Sequence, residues 1–183
     1  MKLISWIVAI CIFLTVFNLI ILDTDFQTFL INHHSNSENA EAEHLQVLEF
    51  FKTGTLNSPM TDAEKSHMED VRVLYHNFII LSLLFILITG YIYYKKRPKI
   101  NFNPIIKTTA VIGIISAVFA NDLFNLFHKV FFPQGNYTFA VDSFLITLYP
   151  ASYFFSLFFW AIGLTVLICI MLEITKRRII VNR

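Results

Sequence analysis

Glu64, His67 and Asp70 recur at every third position in the stretch 61–71, so on a helix their three side chains share one face. An imidazole set among carboxylates has its tautomer fixed and its protonated form stabilised, which suits a general base working near neutral pH. The same spacing also describes a plain solvated face, and spacing alone leaves both readings open. A second histidine, His128, closes an apolar run in which Asn121 and Asn125 precede it at intervals of four and three, with Asp122 at the edge of that stripe. Polar groups at membrane depth face a bundle interior or a wet cavity; interhelical hydrogen bonds that hold a bundle together are the ordinary alternative. Asp142 and Tyr149, further on, can line the same outer pocket, or serve as a helix cap and an interfacial aromatic. Acid–base chemistry shared by two imidazoles requires His67 and His128 to meet.

The elements that must bring them together are set by composition. With 56% hydrophobic residues, 15% charged residues and 20 phenylalanines in 183, the chain is too apolar for a soluble domain of its size. Four stretches, roughly 3–22, 71–94, 105–127 and 151–172, reach the length of about 20 residues that crosses a hydrocarbon core. The expectation is an all-α integral membrane protein: a single domain of four transmembrane helices, with an extracytoplasmic helical cap between the first and second spans.

Basic residues set the orientation, because short loops rich in lysine and arginine stay in the cytoplasm. Lys95, Lys96, Arg97, Lys99 and Lys107 fall between the second and third spans, and Lys176, Arg177, Arg178 and Arg183 follow the fourth. The segment 23–72 carries ten acidic residues against three basic ones. Both termini are therefore expected in the cytoplasm, and 23–70 outside. The N-terminal run lacks a small-x-small cleavage site before Asp23 and reads as a retained span. Within the outer segment, 23–39 is polar and reads as irregular. Residues 40–52 read as an amphipathic helix with Leu45, Leu48, Phe50 and Phe51 clustered, and Thr61 with Glu64 forms a capping box for the helix that carries His67. His76, half a turn out of phase with His67, reads as an interfacial anchor. His67 lies one turn before the hydrocarbon only if the span starts at Val71, with the Arg72 side chain reaching back to the interface. Cys11 and Cys169 lie inside opposite spans, which removes thiol chemistry from the outer face.

Several phrases occur in a set order: Leu45-Gln-Val-Leu-Glu-Phe-Phe51, His67-Met-Glu-Asp-Val71, Phe127-His-Lys-Val-Phe-Phe132 and Asp142-Ser-Phe-Leu-Ile-Thr-Leu-Tyr-Pro150. Together they resemble the lipoprotein intramolecular transacylase family, over about residues 42–160. The resemblance implies a cell-membrane enzyme that moves the sn-2 acyl chain of a diacylglyceryl-cysteine lipoprotein onto the α-amino group of the same cysteine, leaving the lyso form. It implies two essential outer histidines, which correspond by motif to His67 and His128. One departure is Tyr137, which stands where the pattern has tryptophan. Under this reading His67, oriented by Asp70 or Glu64, takes a proton from the amine, and His128 stabilises the oxyanion or protonates the leaving oxygen, with Asn125, Asp122, Asp142 and Tyr149 in support. Donor and acceptor belong to one substrate, so proximity supplies much of the rate and no enzyme nucleophile is needed. The expected partners are the modified lipoprotein and membrane lipids, with no nucleic acid, no cofactor and no metal.

Three other readings use the same residues. Histidines on facing helices can ligate haem in an electron-transfer bundle. His33, His34 and His44 with outer acids can hold a metal, although no ligand spacing argues for it. The chain can also be a noncatalytic membrane scaffold, its polar residues serving packing alone.

Overall fold

In hydrocarbon a backbone must satisfy its own hydrogen bonds, so long apolar runs become long helices. The structure, a computed structural model, describes residues 2–56 and 58–181; Arg183 of the basic cluster and Asn57 of the turn before Thr61 lie outside the described residues. Those residues hold eight helices and no strand. Three helices are long and apolar enough to cross a membrane: α1 (Lys2–Leu22), α4 (Asp62–Lys96) and α8 (Ala151–Val181). The run read as one span at 105–127 is two helices, α5 (Asn103–Val118) and α6 (Ala120–Phe131), and it counts as a fourth span only if the pair is taken together. The helix stops at Phe119, where φ is −107° and ψ is 27°. The residues beyond it explain the change. Along α6, Leu123, Leu126, Phe127, Val130 and Phe131 fall on one arc and Asn121, Asp122, Asn125 and Lys129 on the other, the pattern of a surface helix and not of a span.

A second difference lies in 23–39, where helix α2 (Thr24–His34) replaces the irregular segment expected from polarity. Asp23 caps it by accepting from the Phe26 N–H at 3.0 Å, and Leu30 and Ile31 supply the buried side. Helix α3 (Ala40–Thr53) forms where expected but turns a different face inward. Its buried residues are Ala40, His44, Val47 and Phe50, while Leu45 is exposed. The last element, α7 (Phe144–Leu148), is a single short turn capped by Ser143.

The chain divides into two compact units. The first comprises residues up to 20, 78–118 and from 158 onward. Its buried cluster is Ala9, Phe102, Ile105 and Cys169, against which Trp6, Val8, Ile12, Ile100 and Ile106 pack. Asn18 is buried among apolar residues and donates to the Leu14 carbonyl at 2.8 Å and to the Ser82 hydroxyl, so the α1 and α4 segments of this unit share a polar clasp. Glu173 binds Lys176 at 2.6 Å and Arg177 at 3.3 Å and accepts from the Phe102 N–H at 3.3 Å, tying the start of α5 to α8.

The second unit comprises 21–77 and 119–157: α2, α3, α6, α7 and the adjoining ends of the long helices. Here α3 ends on Gly54, whose φ of 81° is left-handed. Arg72 lies against that turn. Its Nε donates to the Phe51 carbonyl at 3.2 Å, and its guanidinium sits 5.7 Å from the centroid of the Phe50 ring. Arg72 thus meets the C-terminus of α3, where a cation is favoured. A Cβ on Gly54 would lie 3.3 Å from that guanidinium. Gly54→Ala should therefore destabilise by about 1–2 kcal/mol from backbone strain, with Gly54→Asn milder; thermal unfolding in detergent checks this, and an unchanged midpoint for Gly54→Ala contradicts it.

Candidate active site

All of the site's residues belong to the second unit. Helix α4 begins with the expected capping box: the Thr61 N–H and hydroxyl each donate to Glu64 at 2.8 Å, and the Glu64 N–H returns a bond to Thr61 at 3.3 Å. One turn later His67 is buried, and its ring stands 6.1 Å from that of His128, centroid to centroid, with the planes 25° apart. Phe132 at 4.6 Å and Phe139 at 5.5 Å close around His67. Phe124 at 4.3 Å and Tyr137 at 5.3 Å close around His128.

His128 Nδ1 lies 2.8 Å from the Phe124 carbonyl. A carbonyl only accepts, so the Nδ1 proton is donated and the neutral ring keeps its lone pair on Nε2. Burial holds the His67 pKa down at about 4, His128 beside it adds to the depression, and Asp70 and the Asn136 side chain act in the opposite sense. Burial also lowers His128, against the bond to Phe124. Both shifts favour the neutral rings, and the closeness of the two opposes a second proton once one is present.

The two flanking carboxylates do different work. Asp70 accepts from Gln134 Nε2 at 2.6 Å and from Asn136 Nδ2 at 2.7 Å, fastening the turn after α6 to the helix that carries His67. Glu64 accepts the Leu145 N–H at 2.9 Å in addition to its bonds from Thr61. Burial pushes its carboxyl up, but the donors of Leu145, Thr61 and Phe144 outweigh that and hold it below its usual value. Glu64 therefore anchors the N-terminus of α7, and its oxygens are engaged away from His67.

This arrangement can move protons at a buried, aromatic-walled site, and the comparisons with known proteins show the family of the chain that holds it. Residues 1–154 match the lipoprotein intramolecular transacylase Lit family. The chain belongs to that family. The fold agrees: the membrane-integral lipoprotein intramolecular transacylase Lit from Bacillus cereus superposes with a TM-score of 0.67, covering 97% of each chain at 19% identity. None of the curated proteins matches the chain. Membership of the transacylase family does not favour the haem and scaffold readings.

In this Lit-family chain the other residues singled out in the sequence are not drawn to the ring pair. Asn125, Asp122 and Asp142 are exposed. Tyr149 instead bonds His44, its hydroxyl 2.8 Å from Nδ1. His44 is 1% exposed and burial pushes it down to about 4, so it is a neutral part of the core. Behind it, the Tyr153 hydroxyl donates to Gln27 at 3.0 Å. Of the histidines of the metal reading, His33 and His34 have their rings 4.9 Å apart and His34 Nε2 pairs with Ser156 at 2.8 Å, while His44 turns instead to Tyr149. His76 bonds the Arg72 carbonyl of its own helix at 2.8 Å.

Gln134 and Asn136 were missed in the sequence because neither has helical spacing to His67. The signal that could have found them is the Pro133–Asn136 turn, which immediately follows the phrase containing His128.

Two measurements test the site. Histidine NMR of labelled protein in micelles should find both rings neutral at pH 7, with His67 titrating near 4 and His128 below 6.5. Because the unfolded chain binds these protons first, stability should fall as pH drops from 6.5 toward 4; a His67 midpoint at or above 6.5 contradicts the assignment. Glu64→Gln should cost about 2 kcal/mol, because a carboxamide cannot accept from Thr61 and Leu145 with both atoms. Chemical unfolding would show no change if the carboxylate were idle.

Proposed function

We propose that this Lit-family enzyme works at the extracytoplasmic face of the cell membrane, as a multi-pass protein with both termini in the cytoplasm, and that His67 and His128 carry the acyl transfer. The substrate is a lipoprotein whose N-terminal cysteine bears a diacylglyceryl group; the sn-2 acyl chain passes from the glycerol oxygen to the α-amino nitrogen of that cysteine. The basic clusters after α4 and at the end of α8 support the orientation. The amphipathic α6 supports the depth: its apolar arc is exposed, as in a helix lying along an interface, and it carries His128 at that level. An ester just below lipid headgroups is within reach of such a helix.

The observation that carries the assignment is the 6.1 Å ring separation. In the transfer the amine nitrogen, starting as an ammonium, gives up two protons to become an amide. One is lost before it can attack the ester carbonyl and one after, while the departing glycerol oxygen takes one up. Two neighbouring imidazoles suit that traffic. The sequence reading gave His67 the role of base and His128 that of stabilising the oxyanion or protonating the leaving oxygen. The bond from His128 to the Phe124 carbonyl modifies this: neutral His128 offers a lone pair at Nε2 and becomes a donor there only after taking a proton. His128 therefore collects a proton from the nitrogen and delivers it to the glycerol oxygen, while His67 takes the other, and the imidazolium so formed steadies the oxyanion. No covalent enzyme intermediate is required.

Expression in cells lacking other N-acylating enzymes, followed by mass analysis of a lipoprotein's N-terminal peptide, tests this reading. The chain should convert the diacylglyceryl form into the N-acyl lyso form, with the total acyl count unchanged. His67→Ala and His128→Ala should each slow conversion by about a hundredfold or more while the protein remains in the membrane. Conversion that persists in both variants removes the site assignment, and no conversion by the intact chain removes the activity.

A further inference from the structure

Two buried polar atoms are not used by the chemistry above: Oδ1 of Asn136, in the turn at 133–136, and Nδ1 of His67, on α4. Asn136 Nδ2 donates to Asp70 at 2.7 Å and to the Ser66 hydroxyl at 3.5 Å. Ser66 and Asp70 lie one residue before and three residues after His67 on α4, so the carboxamide is set against the turn of helix that carries His67. A carboxylate accepts and cannot donate, which fixes the amide with its NH2 group on Asp70 and its Oδ1 on the other side. That Oδ1 is buried and has no hydrogen bond, and His67 Nδ1 is likewise buried without one. An acceptor and a ring nitrogen are thus left unmatched beside the same stretch of α4. Leaving both unmet in a buried place is costly, and a proton on Nδ1 serves both at once.

We propose that Asn136 is a positioning residue that accepts from His67 Nδ1–H and so fixes the tautomer with its lone pair on Nε2, while Asp70 holds the Asn136 carboxamide in place. The choice of an amide has a physical reason. A carboxylate in direct contact would favour the imidazolium and retain its proton, whereas a carboxamide orients the ring without a charge. The charge of Asp70 stays one group back. With Phe124 doing the same for His128, both rings present Nε2 lone pairs, which matches the two protons that the nitrogen must lose. Only this last step rests on the transacylase reading; the tautomer does not.

The test is a two-bond proton–nitrogen correlation on protein labelled with 15N-histidine, in detergent micelles above pH 7 without substrate. In the unaltered chain His67 should show the Nδ1–H tautomer alone. Asn136→Leu should convert it partly or wholly to Nε2–H and slow transacylation roughly ten- to a hundredfold, the range seen when a partner that orients a metal-bound histidine is removed. The loss should fall on kcat with KM little changed. Asn136→Asp, which keeps an acceptor oxygen, should retain the Nδ1–H tautomer and raise the His67 titration midpoint, and Asp70→Asn should loosen the tautomer less than Asn136→Leu does. An Nε2–H tautomer in the unaltered chain overturns the proposal whether or not any variant folds, and so does a tautomer indifferent to Asn136→Leu. If the tautomer responds as stated but the intact chain transfers no acyl group, the proposal stands and the transacylase reading fails.

Discussion

Two carboxylates on one helix hold the segment after α6 in place, and the imidazole between them is fixed as a result. Glu64 grips the start of α7 through the Leu145 N–H, and Asp70 grips the turn through Gln134 and Asn136. Hydrogen bonds to ionised acceptors are the stronger kind and contribute about 1.5–3 kcal/mol each. They fasten the loop carrying Tyr137 and Phe139 on either side of its exposed stretch at Val141 and Asp142, while Phe132 at its start is buried against His67. The aromatic walls that desolvate His67 and His128 follow from this clamp. So do their lowered pKa values, because desolvation is the leading cause in both rings.

Much of this was legible in the chain. The three-residue spacing of Glu64, His67 and Asp70 placed them on one face, and the capping box at Thr61 formed as the residues required. What periodicity could not supply was the partner of each group. Spacing describes neighbours along one helix, and the carboxylates find theirs more than sixty residues away. Asp70 lay close enough to His67 to suggest direct pairing, yet its oxygen is claimed by two amides from the turn. His44 entered the sequence reading only as a ligand of the metal alternative, but Tyr149 gives it a hydroxyl to bond, and the buried face of α3 is His44, Val47 and Phe50 with Leu45 exposed.

The division of the apolar run at Phe119 illustrates the same limit. Counted by hydropathy, 105–127 qualifies as one span, because phenylalanine and leucine in α6 raise its average as effectively as the isoleucines of α5 do. Average and arrangement are different quantities. In α5 the apolar residues surround the helix, whereas in α6 Asn121, Asp122, Asn125 and Lys129 occupy one continuous arc. A window average does not register that arc, and a helical wheel does.

The arc also bears on the proposed reaction. Phe124 and His128 sit one turn apart at the margin of the polar side, which lets the Phe124 carbonyl accept the hydrogen bond from Nδ1–H while the ring lies among aromatic neighbours. At the margin a ring has apolar surroundings on one side and polar ones on the other. A base buried wholly in the apolar side would have no route for the proton that must finally leave to water, because the nitrogen loses two protons and the glycerol oxygen recovers only one. A base wholly on the polar side would be hydrated, more readily protonated and distant from an acyl ester held in lipid. The amphipathic helix meets both demands, which is a reason for the histidine to be carried by α6 and not by a continuous span.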